Sequence, residues 1–384
     1  MATVPLRILH PRHGIHEPTS GTPARSAGSV RRTTTIDMLR PDGFGGPLHL
    51  VGRGRDLRTA DPADDGPGGT AAGAEVLGEA TVHAVVDFTA GRELRQITSD
   101  PTRPALAGLV GRSVAAGFRG RLDEVDPAVA AEEDLLYLLL DDLPGAALVS
   151  GHAYGAAAQE ARETGVPAIP PMRQGDYRHV TDLCAGFATG GTIMSEVEAF
   201  GRSPVVTGPV APPLERPGDP LAWHDTPPLP PRGMRRARRV DVRLDGSGAR
   251  AHVDALFRDS YVLPEGVATV IHEYTVTAEV DTATSTFVSC EATPRALPFV
   301  ECPAAAASAA RLAGMPLAGL RPFVRRTFVG TSTCTHLNDT LRVLEDVQAL
   351  LGPLHPHLRE GAHLREGAHL REGAHLREGA ENHG

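Results

Sequence analysis

Four residues with chemically capable side chains, Cys302, Cys334, His336 and Asp339, fall where two helices are predicted to begin. Cys302 stands directly before Pro303 and the helix-forming run Ala304 to Ala313, which Gly314 closes, so Cys302 takes the N-cap and Pro303 the first helical position. Cys334 opens a second helix, with His336 and Asp339 in its first turns. Unpaired amides and the positive end of the macrodipole favour an anion at each start, which would stabilise thiolates there. Three chemistries follow. Cys302, Cys334 and His336 would give zinc or iron three ligands and an open position. Alternatively, a Cys302 thiolate with His336 as general base, oriented by Asp339, would attack a carbonyl or thioester. In the third, both cysteines are inert small hydrophobes and the segment is a binding module or a non-catalytic carrier.

A second group, His252, Arg258, Asp259, His272 and Glu273 together with Arg295, is assigned to substrate binding or support. His272 and Glu273 are neighbours on a predicted strand, so they point to opposite faces and one is expected in solvent. A cross-strand ion pair between Asp259 and an arginine accounts for that aspartate equally well. Arg232, Arg235, Arg236, Arg238 and Arg239 form the strongest basic patch, either a dock for an anionic substrate tail or a solvated strand start. Cys290, on a strand, is expected to be structural.

The elements that must position these residues come from periodicity. Alternating stretches such as Tyr274 to Val280 predict antiparallel strands, and Leu337, Leu341, Leu344, Val347 and Leu351 give the second helix an apolar stripe that Gly352-Pro353 ends. Leu135 to Leu140, preceded by acidic Glu132-Glu133-Asp134, predicts another helix. Similar wording occurs twice. Arg31-Arg32, Asp37, His49, Arg55-Asp56, Glu79 and Asp87 answer Arg238-Arg239, Asp241, His252, Arg258-Asp259, Glu273 and Asp281. The expected fold is therefore α+β, two diverged copies of an antiparallel strand meander with flanking helices. Only the second copy carries counterparts of the chemically capable cysteines.

The chain divides into a loose arm (1–28), a first repeat unit (29–150), a Gly-rich bridging segment holding Cys184 (151–202), a Pro-rich connector expected to run over the surface (203–232), a second repeat unit (233–353) and a tail (354–384). A loop insertion begins at Asp61, and the tail repeats His-Leu-Arg-Glu-Gly-Ala. A length of 384 residues with 41% hydrophobic residues is enough for sizeable cores. Four cysteines make no disulfide framework, and neither a signal peptide nor a membrane span is evident, so a cytoplasmic location with reduced thiols is expected. A formal charge of −9 argues against nucleic acid as a partner. All 38 basic residues are arginine, which excludes a lysine Schiff base and the lysine of a phosphate-binding P-loop.

The phrases Phe257-Arg-Asp-Ser, His272-Glu-Tyr, Arg295-Ala-Leu-Pro-Phe-Val-Glu-Cys-Pro and Cys334-Thr-His-Leu-Asn-Asp-Thr-Leu-Arg342 resemble a bacterial domain-of-unknown-function family, DUF2889, over Arg235 to Leu351. That resemblance implies no reaction. A looser likeness is to scaffolds for iron–sulfur assembly, whose first cysteine has no clear equivalent here. The expectation is an enzyme acting on a small organic acid, aromatic compound or acyl thioester through a Cys/His site, with zinc or iron as the cofactors to test. Its alternative is a non-catalytic metal or cluster carrier or binding module. The sequence leaves oligomerisation open.

Overall fold

A computed structural model describes residues 14–61, 73–131, 135–165 and 180–354. Eight strands, β1 Ser29–Leu39, β2 Leu48–Thr59, β3 Ala74–Asp87, β4 Glu93–Asp100, β5 Met234–Leu244, β6 Arg250–Val262, β7 Ala268–Asp281 and β8 Thr286–Ala296, form one sheet in the order β4-β3-β2-β1-β5-β6-β7-β8. Every neighbouring pair is antiparallel. The α+β architecture is thus two four-stranded meanders joined edge to edge at β1 and β5.

The registers of the meanders correspond position by position. Asp56 lies opposite Gly78, and Asp259 opposite His272, each immediately before a β-bulge. His49 and His252, Arg55 and Arg258, and Glu79 and Glu273 occupy matching sites in β2/β3 and β6/β7. Across the central seam, Arg31 bonds Asp241 at 2.5 Å and Arg235 bonds Asp37 at 2.6 Å, a reciprocal exchange about a local two-fold. The arginine correspondence shifts by three positions from the sequence alignment. Arg31-Arg32 matches Arg235-Arg236, because Arg32 pairs with Asp56 as Arg236 pairs with Asp259.

Both faces of the central strands are covered, so β1 is buried along nearly its whole length. After helices α1 (Phe118–Val125) and α2 (Pro127–Ala131), helix α3, Leu135–Val149, lies over β1 to β3 on one face, with Leu135, Leu136, Leu139, Leu140 and Leu143 in a core with Ile36, Leu50 and Val82; α4 (Gly151–Thr164) and α5 (Thr192–Phe200) follow. Glycine at 52 and 54 admits it, since an added Cβ would fall 3.4 Å from Leu139 and 2.8 Å from Leu135. On the same face, α6 (Leu320–Thr327), α7 (Thr335–Val343) and α8 (Val347–Leu351) cover the second meander, and the predicted apolar stripe Leu337, Leu341, Leu344, Val347 and Leu351 is buried. The run from Cys302 to Leu312 is a 3-10 helix, where an α-helix was expected. Its alanines and serine are small enough to eclipse at every third residue with little crowding.

The opposite face explains two further departures from expectation. The Pro-rich connector does not merely run over the surface; its Trp223 packs on Ala237 and Leu256, and both ring nitrogens of His224 meet the hydroxyls of Thr33 and Thr35 at 2.9 and 3.0 Å. Residues 14–28 of the expected loose arm are ordered. The Leu297 amide donates to the Ile15 carbonyl and the Glu17 amide to the Arg295 carbonyl, so this segment pairs beside the end of β8. Residues 314–317 bond the other end of β8, and residues 111–114 bond the outer edge of β4. The rest of the arm (1–13), most of the loop after Asp61, the acidic residues 132–134, part of the bridging segment (166–179) and the tail from 355 lie outside the described residues.

The arginine run is neither a dock nor a solvated strand start. Arg236 and Arg238 turn toward the helices, where Arg238 forks onto Asp142 at 2.5 and 2.8 Å, and Arg239 turns to the other face, pairing with Asp241 and Asp254. Burial of a guanidinium is tolerable only with such partners. Arg342 with Asp141, Arg321 with Asp346 and Arg32 with Asp56 and Asp346 continue the network under α3 and α7.

Candidate functional site

Three groups of opposite origin converge where the start of α7 crosses β6 and β7. Strand register sets Asp259 opposite His272, and their side chains share the helix-facing side. His336, two residues after the Cys334 N-cap, descends onto them. The His272 and His336 rings stack with centroids 3.6 Å apart and planes 18° off parallel. His272 Nδ1 is 3.7 Å and His336 Nε2 3.9 Å from the same oxygen, Asp259 Oδ2. One potential ligand atom from each residue lies within 4.8 Å of the others.

The electrostatics keep the carboxylate charged and an imidazole neutral. Burial disfavours the Asp259 anion, but the Arg236 guanidinium, bonded at 2.9 and 3.1 Å, and the His272 ring together hold its pKa well below the usual carboxylate range. Burial, then the neighbouring His272, push His336 down to about 3, against the pull of Asp259. His272 Nδ1 is buried and has no hydrogen-bond partner. Such an orphaned nitrogen calls for an explanation in a folded protein.

A third imidazole belongs to this neighbourhood. His152 starts helix α4, Gly151–Thr164, packs edge-on against Tyr261 at 5.1 Å, and is pushed down to about 4 by burial and by His272. Sequence reasoning missed it because Gly151-His-Ala-Tyr-Gly lies far from β7 along the chain and has no partner at a ligand-like spacing.

The other sequence-assigned residues divide clearly. Asp339 does not orient His336; it bonds Arg342 at 2.7 Å and Arg236 at 3.1 Å, and Asp259 is the carboxylate nearest the imidazole. Arg258 and Glu273 pair at 2.5 Å on the opposite face, where Arg258 donates to the Thr19 carbonyl and Glu273 accepts from the Thr19 amide. Neither His272 nor Glu273 is turned into open solvent: His272 stacks under His336, and residues 14–28 cover the face that carries Glu273. His252 sits near the far end of β6, 3.4 Å from Glu279, and Arg295 donates to Thr275.

The cysteines are buried, and burial overrides the helix-start effect. Cys302 is pushed well up by desolvation and by Cys334 and Cys184, while Cys334 is pushed up to about 11 by desolvation, despite the nearby Tyr274 hydroxyl. The 3-10 geometry after Cys302 also gives it no α-helical terminus. Cys334 Sγ is 3.9 Å from His336 Nδ1, so it borders the cluster from behind the ring. Neither Cys302 nor Cys334 joins the three mutually close ligand atoms. Cys184 is brought alongside by the Ala185 amide bond to the Thr333 carbonyl. Cys290 is buried within β8 and pushed up to about 12 by desolvation.

Asp259, with two imidazoles and no strongly basic group among the three ligand atoms, offers an N2O donor set of the kind that binds zinc or iron(II) with positions left open. At metal–ligand lengths of about 2.1 Å, tetrahedral ligand atoms stand roughly 3.4 Å apart, close to the two separations seen from Asp259 Oδ2. Arg236 already donates to both carboxylate oxygens, but each oxygen can accept twice. Two cavities, of about 670 and 750 Å³, are lined by none of the three residues. His336, its side chain 23% exposed, is the most accessible of the three, against 13% for His272 and 0% for Asp259.

Residues 234–350 match the family described as a protein of unknown function (DUF2889), a span running from β5 into α8 and containing Asp259, His272 and His336. No curated protein and no solved structure matches the chain.

Proposed function

We propose that this protein is a metal-dependent enzyme acting on a small organic molecule, with Asp259, His272 and His336 holding zinc or iron(II). The observation that carries this reading is the convergence of His272 Nδ1 and His336 Nε2 on Asp259 Oδ2, with the first nitrogen buried and unbonded. Neutral imidazoles and an ionised carboxylate are the protonation states a divalent ion requires. Such an ion would supply Lewis acidity or an activated water. Arg236 would hold the carboxylate's orientation, as partners of metal ligands commonly do. His152, held neutral by burial and by the nearby His272, would exchange a proton with a bound substrate or water.

A second reading is favoured by the Arg236 fork. With the carboxylate already paired, Asp259 and His272 form a metal-free acid–base couple. A Cys302 nucleophile is disfavoured by the raised thiol pKa, and a cluster carrier by the absence of any cysteine from the set of mutually close ligand atoms among the described residues. The correspondence of the two registers further supports an origin of the meanders by internal duplication.

Metal analysis decides between the first two readings. The full chain should carry one more equivalent of zinc or iron than the His272→Asn and His336→Asn variants, the tail histidines being common to all three. Equal metal content in all three, after exchange against a weak chelator, would sink the metal-dependent reading and leave the acid–base couple.

A further inference from the structure

The cavity of about 670 Å³ lies at the opposite end of α4 from His152, between that helix and the β1–β2 hairpin, and the connector closes it at Pro230 and Pro231. Its walls are largely apolar, with Leu39, Phe44, Val51, Ala157 and Ala161 among them, and its size falls in the range of small-molecule sites. One charged group on its wall differs from the other guanidiniums described above. Arg40 forms no ion pair among the described residues; it reaches Ser150 Oγ at a long 3.4 Å, and its Nη1 is buried with no hydrogen-bond partner. Its guanidinium carbon stands 4.5 Å from the centroid of Phe88 and 5.4 Å from that of Phe44. These rings attract a cation but accept none of its directed N–H bonds. Burial without a counter-charge lowers the Arg40 pKa to about 10.

In a protein that pairs Arg31, Arg32, Arg236, Arg238, Arg258 and Arg342 with carboxylates, a half-buried guanidinium without a carboxylate partner on a cavity wall marks the place of an external anion. We propose that this cavity binds a small organic acid whose carboxylate meets the Arg40 guanidinium and whose apolar body lies between Phe44 and α4. A monoanion fits and a phosphate does not. Glu160, itself held by Arg232 at 2.6 Å, shares the wall, and the C-terminal half of α4 presents the negative end of its dipole there. The site does not depend on the metal centre, because its lining includes none of the three proposed metal ligands.

Calorimetric titration and thermal unfolding of the full chain test this with sodium benzoate and sodium hexanoate, against benzyl alcohol and inorganic phosphate. One or both acids should bind saturably and raise the unfolding temperature, with the alcohol and phosphate weaker by about tenfold or more, the scale of one charge-assisted bond. Arg40→Met, which keeps the contact with the rings, should lose the acid response by about tenfold or more and unfold no lower than the parent. Ala161→Phe, which fills the cavity and leaves Arg40 in place, should abolish binding as well. Absence of binding by both acids at about 10 mM overturns the proposal, as does phosphate binding as tight as the tighter acid, or affinity for that acid within about twofold of the parent in either variant.

Discussion

Asp259 faces His272 across β6 and β7 at the register position where, in the other meander, Asp56 faces Gly78. The same buried Arg–Asp pair is present in both halves, Arg236 with Asp259 and Arg32 with Asp56, but only one half sets an imidazole beside it. Asp259→Asn and Asp56→Asn should each destabilise by about 3 kcal/mol, since each leaves a buried guanidinium under-compensated. Only Asp259→Asn should lower bound metal. Urea denaturation with metal analysis of both variants checks this, and equal metal loss in the two would contradict the site assignment.

Metal at the three-ligand centre should also stabilise the fold by mass action. At a free zinc or iron(II) concentration of 100 times the dissociation constant the gain is about 2.7 kcal/mol. The unfolding temperature should fall when a chelator is added to the purified protein, and His336→Asn should remove that sensitivity.

The buried ion pairs under α3 are expected to be strongly interdependent. Arg238 is 2% exposed, and Asp142 supplies every ion pair it makes among the described residues. Asp142→Asn should cost about 3–5 kcal/mol. A measured loss below about 1 kcal/mol would mean that water or another group can replace the carboxylate.

His224 gives an acid-side pH dependence. Burial, then Arg55, Arg235 and Arg53, push it down to about 3, whereas in the unfolded chain it titrates near the usual value of 6.5. Between those values the unfolded state binds the additional proton, so stability is fully present above about pH 6.5 and declines as pH falls toward 3. The unfolding temperature should therefore drop between pH 7 and pH 4. His224→Gln, which retains a donor and an acceptor for Thr33 and Thr35, should show a shallower decline.

Cys302 and Cys334 should react slowly with iodoacetamide near neutral pH in the folded protein and quickly in urea, because their thiols are buried and raised. Fast native labelling of Cys302 would restore the thiol-enzyme alternative.

Much of the architecture is legible in the sequence because it is written in local periods. The strand alternation, the stripe from Leu337 to Leu351 and the matched His49/Arg55 and His252/Arg258 spacings all translate directly into observed register. Of the site, Asp259 and His272 stand out in one group and His336 in another, since strand pairing and the descent of α7 bring them together and neither is visible in spacing. Cys302 and Cys334 attracted the chemical assignment because helix starts favour thiolates; their desolvation by Tyr274 and the neighbouring core depends on tertiary packing. Likewise, a row of arginines looks solvated until the aspartates of another element are known to meet it. His152 and Arg40 carry no signal beyond their side-chain type.

Residues 15–17 and 314–317 bond the outer side of β8 at its two ends, and residues 111–114 bond that of β4. An incoming chain therefore finds at neither margin a continuous ladder of free amides and carbonyls onto which to polymerise. The capping segments make filament growth by strand addition unfavourable, and detaching the segment around Ile15 would be the first step in exposing a template.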